Sequence, residues 1–446
     1  MDPLLRAAWL ALIRLYYREI AVTGTPPAEG PVILVANHPN GLLDPLVLCI
    51  GVDRPVAFLS KSTLFSNPLA RRILRAFSAI PVYRAKEADT AQNEETFARC
   101  RSLLGAQGWL ALFPEGISHD EPGLQPLKTG AARIALSSRA PGLRVVPVGM
   151  LYEDKEIFRS RVALTFGTPI EVAPLEPGVE PSQEAVRALT AQIADALSQV
   201  VLEAEDREIW RGLVAVAAWT SPDGGRDMGA LDHRARALAA AYRTLDERDP
   251  ERVVEVVEAT RHYVRLLDAV GVTDPFALEV RHTGAPPSPF AAIVPLLPLV
   301  LLAPVALVGA TLAWIPYRLV KPLALRLSGG HADLVGTLKL MLGLVILKLT
   351  WIAWAVAFGV AFGLPVGLAM LVIGPLSGFA ALRWGERYDL RREVLHAHWL
   401  TLTREPIAAA VAEQRRVLAE KVEAGLALAG EALPRATAEP TLVPPP

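Results

Sequence analysis

Residues 31–44 read PVILVANHPNGLLD, an apolar run that leads directly into a short polar loop. The run is continuous and rich in β-branched residues, which is typical of a strand buried on both faces of a parallel sheet. The loop is then expected at the carboxyl end of that strand, where open α/β sheets place their ligands. The sequence therefore predicts an α/β fold with a central, mostly parallel sheet flanked by helices.

The loop carries two side chains that can work together as a proton acceptor and its partner. His38 can take a proton from a hydroxyl near neutral pH if another group fixes its tautomer, and Asp44 follows it closely enough to do so. A loop histidine that only caps a helix is the alternative interpretation. The pair by itself indicates a candidate general base and does not yet identify a reaction.

Three further apolar runs end in polar or glycine residues. They read AIPVYR at 79–84, WLALFPEG at 109–116 and VVPVG at 145–149, and a helical pattern, LKTGAARIAL, occupies 127–136. Because the carboxyl ends of parallel strands lie at one edge of a sheet, we expect the residues that follow these runs to assemble a cleft.

Taken in order, these segments resemble the four sequence blocks of the glycerolipid acyltransferase superfamily, which includes the lysophosphatidic-acid and glycerol-3-phosphate acyltransferases. The resemblance covers about residues 20–180 and implies the fold of that family. One difference is that five residues separate His38 from Asp44, where the family usually has four. Together with PEGISHD at 114–120 and PLKTG at 126–130, this spacing resembles the branch that acylates glycerol 3-phosphate or dihydroxyacetone phosphate.

The resemblance implies a membrane-bound O-acyltransferase of phospholipid biosynthesis. It would move a fatty acyl group from acyl-CoA or acyl carrier protein to a hydroxyl of glycerol 3-phosphate, dihydroxyacetone phosphate or lysophosphatidic acid. The thioester is a co-substrate, and no cofactor is expected. His38 would remove the proton of the attacking hydroxyl while Asp44 holds the imidazole. No covalent acyl-enzyme is needed, because the acceptor hydroxyl is itself the nucleophile.

An anionic acceptor needs fixed positive charge in its site. The resemblance maps the phosphate-binding arginine of the family onto Arg84, which can hold a phosphate with two parallel hydrogen bonds. Lys61 and Lys128 are candidate point charges, with a solvated surface lysine as the alternative for each. Glu115 is expected to orient Arg84 or to bond the hydroxyls of the acceptor, and Gly116 to let its backbone N–H approach the ligand.

Other polar residues give no indication of a metal or nucleic-acid site. His119 and Asp120 have no further clustered ligand at a suitable spacing, so we expect loop hydrogen bonds there and no metal. The two cysteines, Cys49 and Cys100, lie in apolar or helical settings and favour buried thiols over a disulfide. A formal net charge of -1 does not predict a nucleic-acid partner.

Hydrophobic residues make up 52% of the chain and are concentrated in two long runs in its second half. Neither 283–317 nor 349–382 contains a charged side chain, and each exceeds the about 20 residues that cross a bilayer. With the weakly charged residues before it, the second run becomes 334–382. Prolines and glycines interrupt the runs, at Pro295, Pro298 and Pro304 in the first and at 363–365 in the second. We therefore expect two hairpins of kinked or re-entrant helices.

Basic residues flank both apolar runs. They are Arg281, Arg318, Lys321, Arg326, Arg383, Arg387, Arg391 and Arg392. Under the positive-inside rule, all the flanks would face the cytoplasm. The sequence therefore predicts a multi-pass protein in contact with membrane lipid, with its catalytic domain facing the cytoplasm.

These patterns divide the chain into five parts. Residues 1–22 mix apolar side chains with arginines and predict an interfacial amphipathic helix, with a helix packed on the sheet as the alternative. Residues 23–180 are the predicted catalytic domain, 181–282 a helical connector and 283–385 the membrane region. Residues 386–446 are predicted to begin as an amphipathic helix or a pair of helices and to end in a disordered proline-rich tail.

Two other functions are compatible with these patterns. A thioester hydrolase would use water in place of the glycerophosphate and would need no phosphate clamp. A membrane-anchored scaffold with an acyltransferase-like fold would carry out no reaction. The presence of Arg84 and Glu115 beside the histidine–aspartate pair favours an enzyme over the scaffold.

Overall fold

The apolar runs of the first half of the chain form the strands of one sheet. The computed structural model describes residues 3–66, 68–83, 93–176, 178–221, 223–271 and 297–430. The strands are β1 (Glu19–Thr23), β2 (Val32–Ala36), β3 (Val56–Lys61), β4 (Ala79–Val82), β5 (Trp109–Leu112), β6 (Arg144–Tyr152), β7 (Arg161–Phe166) and β8 (Ile170–Glu171). The helices among and after them are α1 (Pro3–Tyr16), α2 (Leu43–Leu48), α3 (Pro68–Ala76), α4 (Asn93–Gly105), α5 (Gly130–Ser138) and α6 (Gln183–Ser198).

The sheet is mostly parallel, as predicted. Its strand order is β1-β7-β6-β2-β5-β3-β4, with β8 paired to β6. The strands from β6 to β4 run parallel to one another, whereas β7 and β8 pair antiparallel with β6. The carboxyl ends of β2, β5, β3 and β4 therefore lie along one edge of the sheet, and the candidate site residues follow these ends.

Both faces of the sheet are covered by helices. Leu34 of β2 lies in the core beneath α1 and α2, and its neighbour Ile33 lies in the opposite core, beneath α4, α5 and α6. Every residue of β2 is buried. This burial on two sides explains why the run before the polar loop is continuously apolar.

One face of helix α1 belongs to this core, which favours the alternative of a helix packed on the sheet over an interfacial helix at 1–22. Ile13 and Tyr16 are 0% and 2% exposed, and residues 19–23 pair as β1 with β7. The interfacial helix was predicted because arginines alternate with apolar residues in this segment, as in helices that lie among lipid headgroups. Arg6, however, donates to the backbone carbonyls of Val52 and Asp53, so this charge is satisfied within the protein.

The residues predicted to be a connector, 181–282, are helical but pack directly on the sheet. Val186 of α6 lies in the same core as Ile33, so the layer around the sheet continues past residue 180. Helices α7 (Arg207–Thr220), α8 (Met228–Arg248) and α9 (Pro250–Val270) follow. Met228 of α8 is fully buried in one cluster with Ala21 of β1. The amphipathic pattern predicted these helices but not the surface that covers their apolar faces.

Three long apolar helices come next. They are α10 (Leu297–Leu327), α11 (Ala332–Phe362) and α12 (Leu364–Thr403), and each contains a segment long and apolar enough to cross a membrane. The turn between α11 and α12 lies at Gly363, where the second hairpin was predicted. The predicted break at Pro304 is wrong, because α10 continues through this proline. Residues 283–296 lie outside the described ranges.

Both ends of α10 lie on the side of the α11–α12 pair that faces the catalytic domain. Near the start of α10, Leu299 O accepts a hydrogen bond from Trp384 of α12 at 2.7 Å. Two residues further along α12, Glu386 pairs with Arg159 of the catalytic domain at 2.5 Å. The end of α10, Leu327, lies six residues before Asp333 of α11, and Asp333 is hydrogen-bonded to Ser118 after β5. In contrast, α11 and α12 meet at their far ends.

The C-terminal helix returns to the helices that precede the apolar region. Helix α12 continues through the predicted boundary at residue 385, and α13 (Glu405–Ala429) follows it. Leu418 of α13 is fully buried in one cluster with Tyr263 of α9, and Arg415 donates to Trp219 O at 2.6 Å. The predicted helix after 386 is thus the end of α12 plus α13, and the proline-rich tail lies outside the described residues.

Candidate active site

His38 follows β2, and its imidazole is held by Asp44. The Nδ1 atom lies 2.8 Å from Asp44 Oδ2, and the ring stacks on Phe113 with 3.9 Å between centroids. A carboxylate at Nδ1 fixes the tautomer in which Nδ1–H donates, which leaves the lone pair on Nε2 available as a base. The His38 side chain is 18% exposed and the Asp44 side chain is 0% exposed. Of the two, only the imidazole therefore reaches solvent.

Asp44 is a buried carboxylate with three donors. Besides His38, it accepts the backbone N–H of Asn40 at 2.7 Å and the hydroxyl of Tyr152 at 2.6 Å. Burial, together with the charge of Asp44, raises the pKa of Tyr152 well above its usual value, so this hydroxyl remains a donor. The three bonds engage both carboxylate oxygens and give Asp44 one orientation toward the imidazole.

The longer loop between the two residues is accommodated by a glycine. Gly41 has a φ of +48°, in the left-handed region that favours glycine, and it lets the chain turn between Asn40 and Asp44. The side-chain amide of Asn40 donates to Tyr17 Oη at 3.2 Å and to Lys155 O at 3.3 Å. The fifth residue between His38 and Asp44 thus does not move the two side chains apart, because the loop turns at Gly41 and Asn40 is held by Tyr17 and Lys155. We call His38 and Asp44 the dyad.

The Pro-Glu-Gly turn after β5 holds the main chain of His38. Glu115 Oε1 accepts the His38 N–H at 3.1 Å, and the N–H of His119 donates to His38 O at 3.1 Å. Glu115 Oε2 accepts from Gln125 N at 2.7 Å and is hydrogen-bonded to His119 Nε2. The Glu115 side chain is fully buried, and these contacts tie it to the His38 loop and to the turn after β5. Its expected role toward Arg84 or the hydroxyls of an acceptor stays a prediction.

Two neighbouring residues also make their contacts within the protein. The N–H of Gly116 donates to Phe113 O at 3.0 Å and closes the turn, where it had been expected to approach a ligand. His119 makes loop hydrogen bonds, as expected. Its Nδ1 accepts from Glu121 N at 3.2 Å, so Nε2 carries the proton that is donated to Glu115.

Asp120 ties the same turn to other elements. It is paired with Lys155 and, at 2.8 Å, with Arg207 of α7. Asp120 is partly buried, which by itself raises the pKa of its carboxyl, but the hydrogen bonds from Arg207 and Lys155 outweigh this and lower the pKa. Within the described ranges, no group of three histidine, cysteine or acidic residues could hold a metal ion.

Two of the predicted phosphate ligands, Lys61 and Lys128, lie at the carboxyl edge of the sheet. Lys61 is the last residue of β3. The backbone N–H of Lys128 donates to Pro114 O at 2.7 Å, and its side-chain stem lies against Gly116, so it sits beside the turn that holds His38. Arg84 lies outside the described residues, and its role stays a prediction.

A cavity of about 380 Å³ adjoins His38 on the side of α7. Residues that line it include Asn37, His38, Glu115, Lys155, Arg207 and Trp210. Since α7 lies in the segment predicted to be a connector, that segment supplies part of the wall of the site.

Several residues that build the site were missed by the sequence analysis. Tyr152 lies 108 residues from Asp44 in the chain, and Lys155 donates its Nζ to Pro39 O at 3.0 Å. Asn37 exchanges two hydrogen bonds with the backbone of Met150, at 2.8 and 3.1 Å. For Tyr152, the only signal in the sequence is a tyrosine at the end of an apolar run. This signal does not show that β6 pairs with β2, which is what brings Tyr152 to Asp44.

Part of the chain is similar in sequence to known acyltransferases. Residues 19–151 match the family model described as Acyltransferase. The chain is 32% identical over 205 residues to glycerol-3-phosphate O-acyltransferase 2 of Saccharomyces cerevisiae, a match that covers 44% of this chain and 27% of that protein. It is 27% identical over 149 residues to the chloroplastic 1-acyl-sn-glycerol-3-phosphate acyltransferase BAT2 of Brassica napus, which covers 33% of this chain and 41% of the relative.

Among solved structures, the chain is similar to the 1-acyl-sn-glycerophosphate acyltransferase PlsC of Thermotoga maritima, with 19% identity and a TM-score of 0.32. That match covers 43% of this chain and 76% of the other. The matches to the two curated relatives span 27% and 41% of their lengths. Residues 19–151 thus form an acyltransferase domain, and the chain is similar to glycerol-3-phosphate and 1-acyl-sn-glycerol-3-phosphate acyltransferases.

Proposed function

We propose that this chain is a membrane-bound O-acyltransferase that moves a fatty acyl group from a thioester to a hydroxyl of a glycerophosphate. The observation that carries the proposal is the dyad: Asp44 lies 2.8 Å from Nδ1 of His38, and Nε2 is left as a base. The names of the curated relatives support glycerol 3-phosphate and its 1-acyl derivative as the class of acceptor. Acyl-CoA and acyl carrier protein are the proposed donors, and no cofactor is proposed.

In the proposed reaction, the acceptor hydroxyl attacks the thioester carbonyl carbon while its proton passes to Nε2 of His38. The new C–O bond forms, the C–S bond breaks, and His38 returns the proton to the thiolate, so the products are an ester and a free thiol. Asp44 stabilises the imidazolium that exists between the two proton transfers. General base catalysis of this kind contributes about two to four orders of magnitude in rate.

The remaining residues of the site are assigned by what they contact. Glu115 is a positioning residue, because its carboxylate is engaged by the main chain of His38 and by the turn that follows β5. Lys61 and Lys128 are proposed to attract the phosphate from the carboxyl edge of the sheet. Arg84 is proposed as the main phosphate ligand on the strength of the family resemblance.

The proposed arrangement in the membrane is a hairpin of α11 and α12 that crosses the bilayer and returns. The uncharged stretch 349–382 and the turn at Gly363 support this hairpin. Helix α10 is proposed to remain on one side, because both of its ends adjoin the catalytic domain. The basic flanks favour the cytoplasm as that side. One crossing hairpin and one non-crossing helix thus replace the two hairpins expected from the sequence.

An assay of the whole chain in detergent micelles tests the proposed function. Labelled acyl-CoA and acyl carrier protein would be offered with glycerol 3-phosphate, dihydroxyacetone phosphate or lysophosphatidic acid. We expect ester formation with at least one of these acceptors, and the comparison among them identifies the substrate. Release of free fatty acid alone would indicate a hydrolase, and no turnover of either donor would indicate a scaffold.

A further inference from the structure

The first two turns of α11 are packed against the catalytic loop, although α11 is one of the long apolar helices. The backbone N–H of Leu42 donates to Thr337 Oγ1 at 3.1 Å. Ser118, in the segment after β5, is hydrogen-bonded to Asp333 at the start of α11. The helix therefore contacts both of the segments that hold His38.

Gly336 is the point of closest approach between this helix and the loop. A Cβ at this position would lie 2.6 Å from Asn40 Oδ1, 2.8 Å from Lys155 O and 3.0 Å from Leu43 Cδ1. The first two distances are shorter than real Cβ contacts, so a side chain here would displace its neighbours. These neighbours are part of the support of the dyad, since the N–H of Asn40 bonds Asp44 at 2.7 Å.

Gly41 meets the same turns of α11 from the side of the loop. A Cβ on Gly41 would lie 3.0 Å from Asp333 O and 3.2 Å from Thr337 Oγ1. Gly41 belongs to the five-residue spacing between His38 and Asp44. The five-residue segment between His38 and Asp44 therefore contacts α11 at Gly41.

The geometry points to Gly336 as a positioning residue for acyl transfer, acting through residues 40–42 on the orientation of Asp44 and hence of His38. The inference rests on the proposed function, because acyl transfer is what it would alter. It makes α11 part of the frame of the active site as well as part of the membrane region. A side chain at position 336 would push the loop away from its place, and the imidazole would lose its alignment with the acceptor hydroxyl.

The variant Gly336→Ala in the whole protein tests this inference, with Gly343→Ala as the matched control. Gly343 lies two turns further along the same helix, and a Cβ there meets nothing within 4 Å. Both variants add one methyl group and the same gain in helix propensity. We expect G336A to lower kcat by about 10- to 100-fold with KM values changed by no more than about twofold, and G343A to behave as the wild type.

A second pair of variants covers the case in which G336A fails to fold. Thr337→Val removes the acceptor of the Leu42 N–H, whereas Thr350→Val removes a hydroxyl that donates to Ile346 O of its own helix at 2.8 Å. We expect T337V to lower kcat, Thr337→Ser to restore it, and T350V to leave it unchanged. The melting temperature in detergent is measured for every variant.

The outcomes separate this inference from the proposed function. Equal kcat values for G336A and G343A in folded protein would overturn the inference and leave the proposed function intact. A loss in T337V that T337S does not restore, accompanied by a lower melting temperature, would mean that α11 only stabilises the fold. Absence of acyl transfer by the wild type would overturn the proposed function and this inference with it.

Discussion

At the scale of single residues, the proposed chemistry depends on one imidazole that is held by a buried carboxylate. We expect His38→Ala to lower acyl transfer by at least about 10³-fold, because the base is lost while binding is retained. The melting temperature should change little, since the side chain is partly exposed and lies on a loop. Activity assays and thermal unfolding in detergent check this, with His262→Ala on the exposed side of α9 as the control. Full activity of H38A would remove His38 from the mechanism.

The hydroxyl of Tyr152 gives a graded test of the same dyad. Tyr152→Phe keeps the ring in its place and removes one of the three donors to Asp44. We expect kcat to fall by about 10-fold with little change in KM, because the carboxylate loses orientation and not charge. Tyr388→Phe, on the exposed part of α12, is the control. An unchanged kcat would mean that the other two donors suffice.

Arg84 is tested through substrate binding. If it holds the phosphate, Arg84→Ala should raise the apparent KM of the glycerophosphate and leave that of the thioester unchanged. Initial rates measured while each substrate is varied separately distinguish the two effects. An equal rise in both KM values would contradict a role specific to the acceptor.

The sequence was informative about the site where the residues are close together in the chain. His38 and Asp44 share one loop, so their pairing could be predicted from spacing and residue type. Glu115 was identified, but its bond to the His38 backbone was not, because that bond depends on β2 lying beside β5. Tyr152 and Gly336 could not be found from the sequence. Their contacts depend on strand order and on the docking of a distant helix.

At the scale of helices and strands, the least tolerant contact of the apolar region is the crossing of α10 and α12. A Cβ at Gly309 would lie 1.9 Å from Ser377 O, so the two backbones touch at this point. We expect Gly309→Ala to cost about 1–3 kcal/mol of stability by forcing the helices apart. Thermal unfolding in detergent measures this, and Gly385→Ala on α12, where a Cβ meets nothing within 4 Å, is the control. Equal melting temperatures would contradict a tight crossing.

Elements were predicted best where their pattern reflects local geometry. The strands β2, β4, β5 and β6 follow from apolar runs, and α5, the helices of 181–270 and the long apolar helices follow from helical spacing or apolar length. The partners of α1, α6 and α8 were not predicted, since an amphipathic face shows that something covers it but not what does. The continuity of α10 through Pro304 was also missed, because proline is tolerated in apolar helices when neighbouring groups satisfy the freed carbonyl.

At the scale of the whole molecule, the proposed topology places the two ends of α10 on one side of the membrane and the α11–α12 turn on the other. Burial raises the pKa of both Cys49 and Cys100 to about 12, so we expect the native thiols not to react with maleimides near neutral pH. Single cysteines can therefore be introduced at exposed positions without removing them. Suitable positions are Leu297, Leu327 and Phe362.

Labelling with a membrane-impermeant maleimide in sealed vesicles then reports the side of each position. We expect Leu297→Cys and Leu327→Cys to react from the same side, and Phe362→Cys only after the vesicles are opened or inverted. Reaction of the first two from opposite sides would show that α10 crosses the bilayer. The proposed single hairpin would then be wrong.

The return of α13 onto the helices before the apolar region sets an order of events during biosynthesis. Tyr263 of α9 leaves the ribosome long before Leu418 of α13, which shares its buried cluster. Between them the ribosome makes all three apolar helices, so the apolar faces of α8 and α9 wait for their cover until the membrane region has been synthesised. Closure of this bundle therefore follows the synthesis of all three apolar helices. A chain that stops within the apolar helices would leave these faces without the cover that α13 provides.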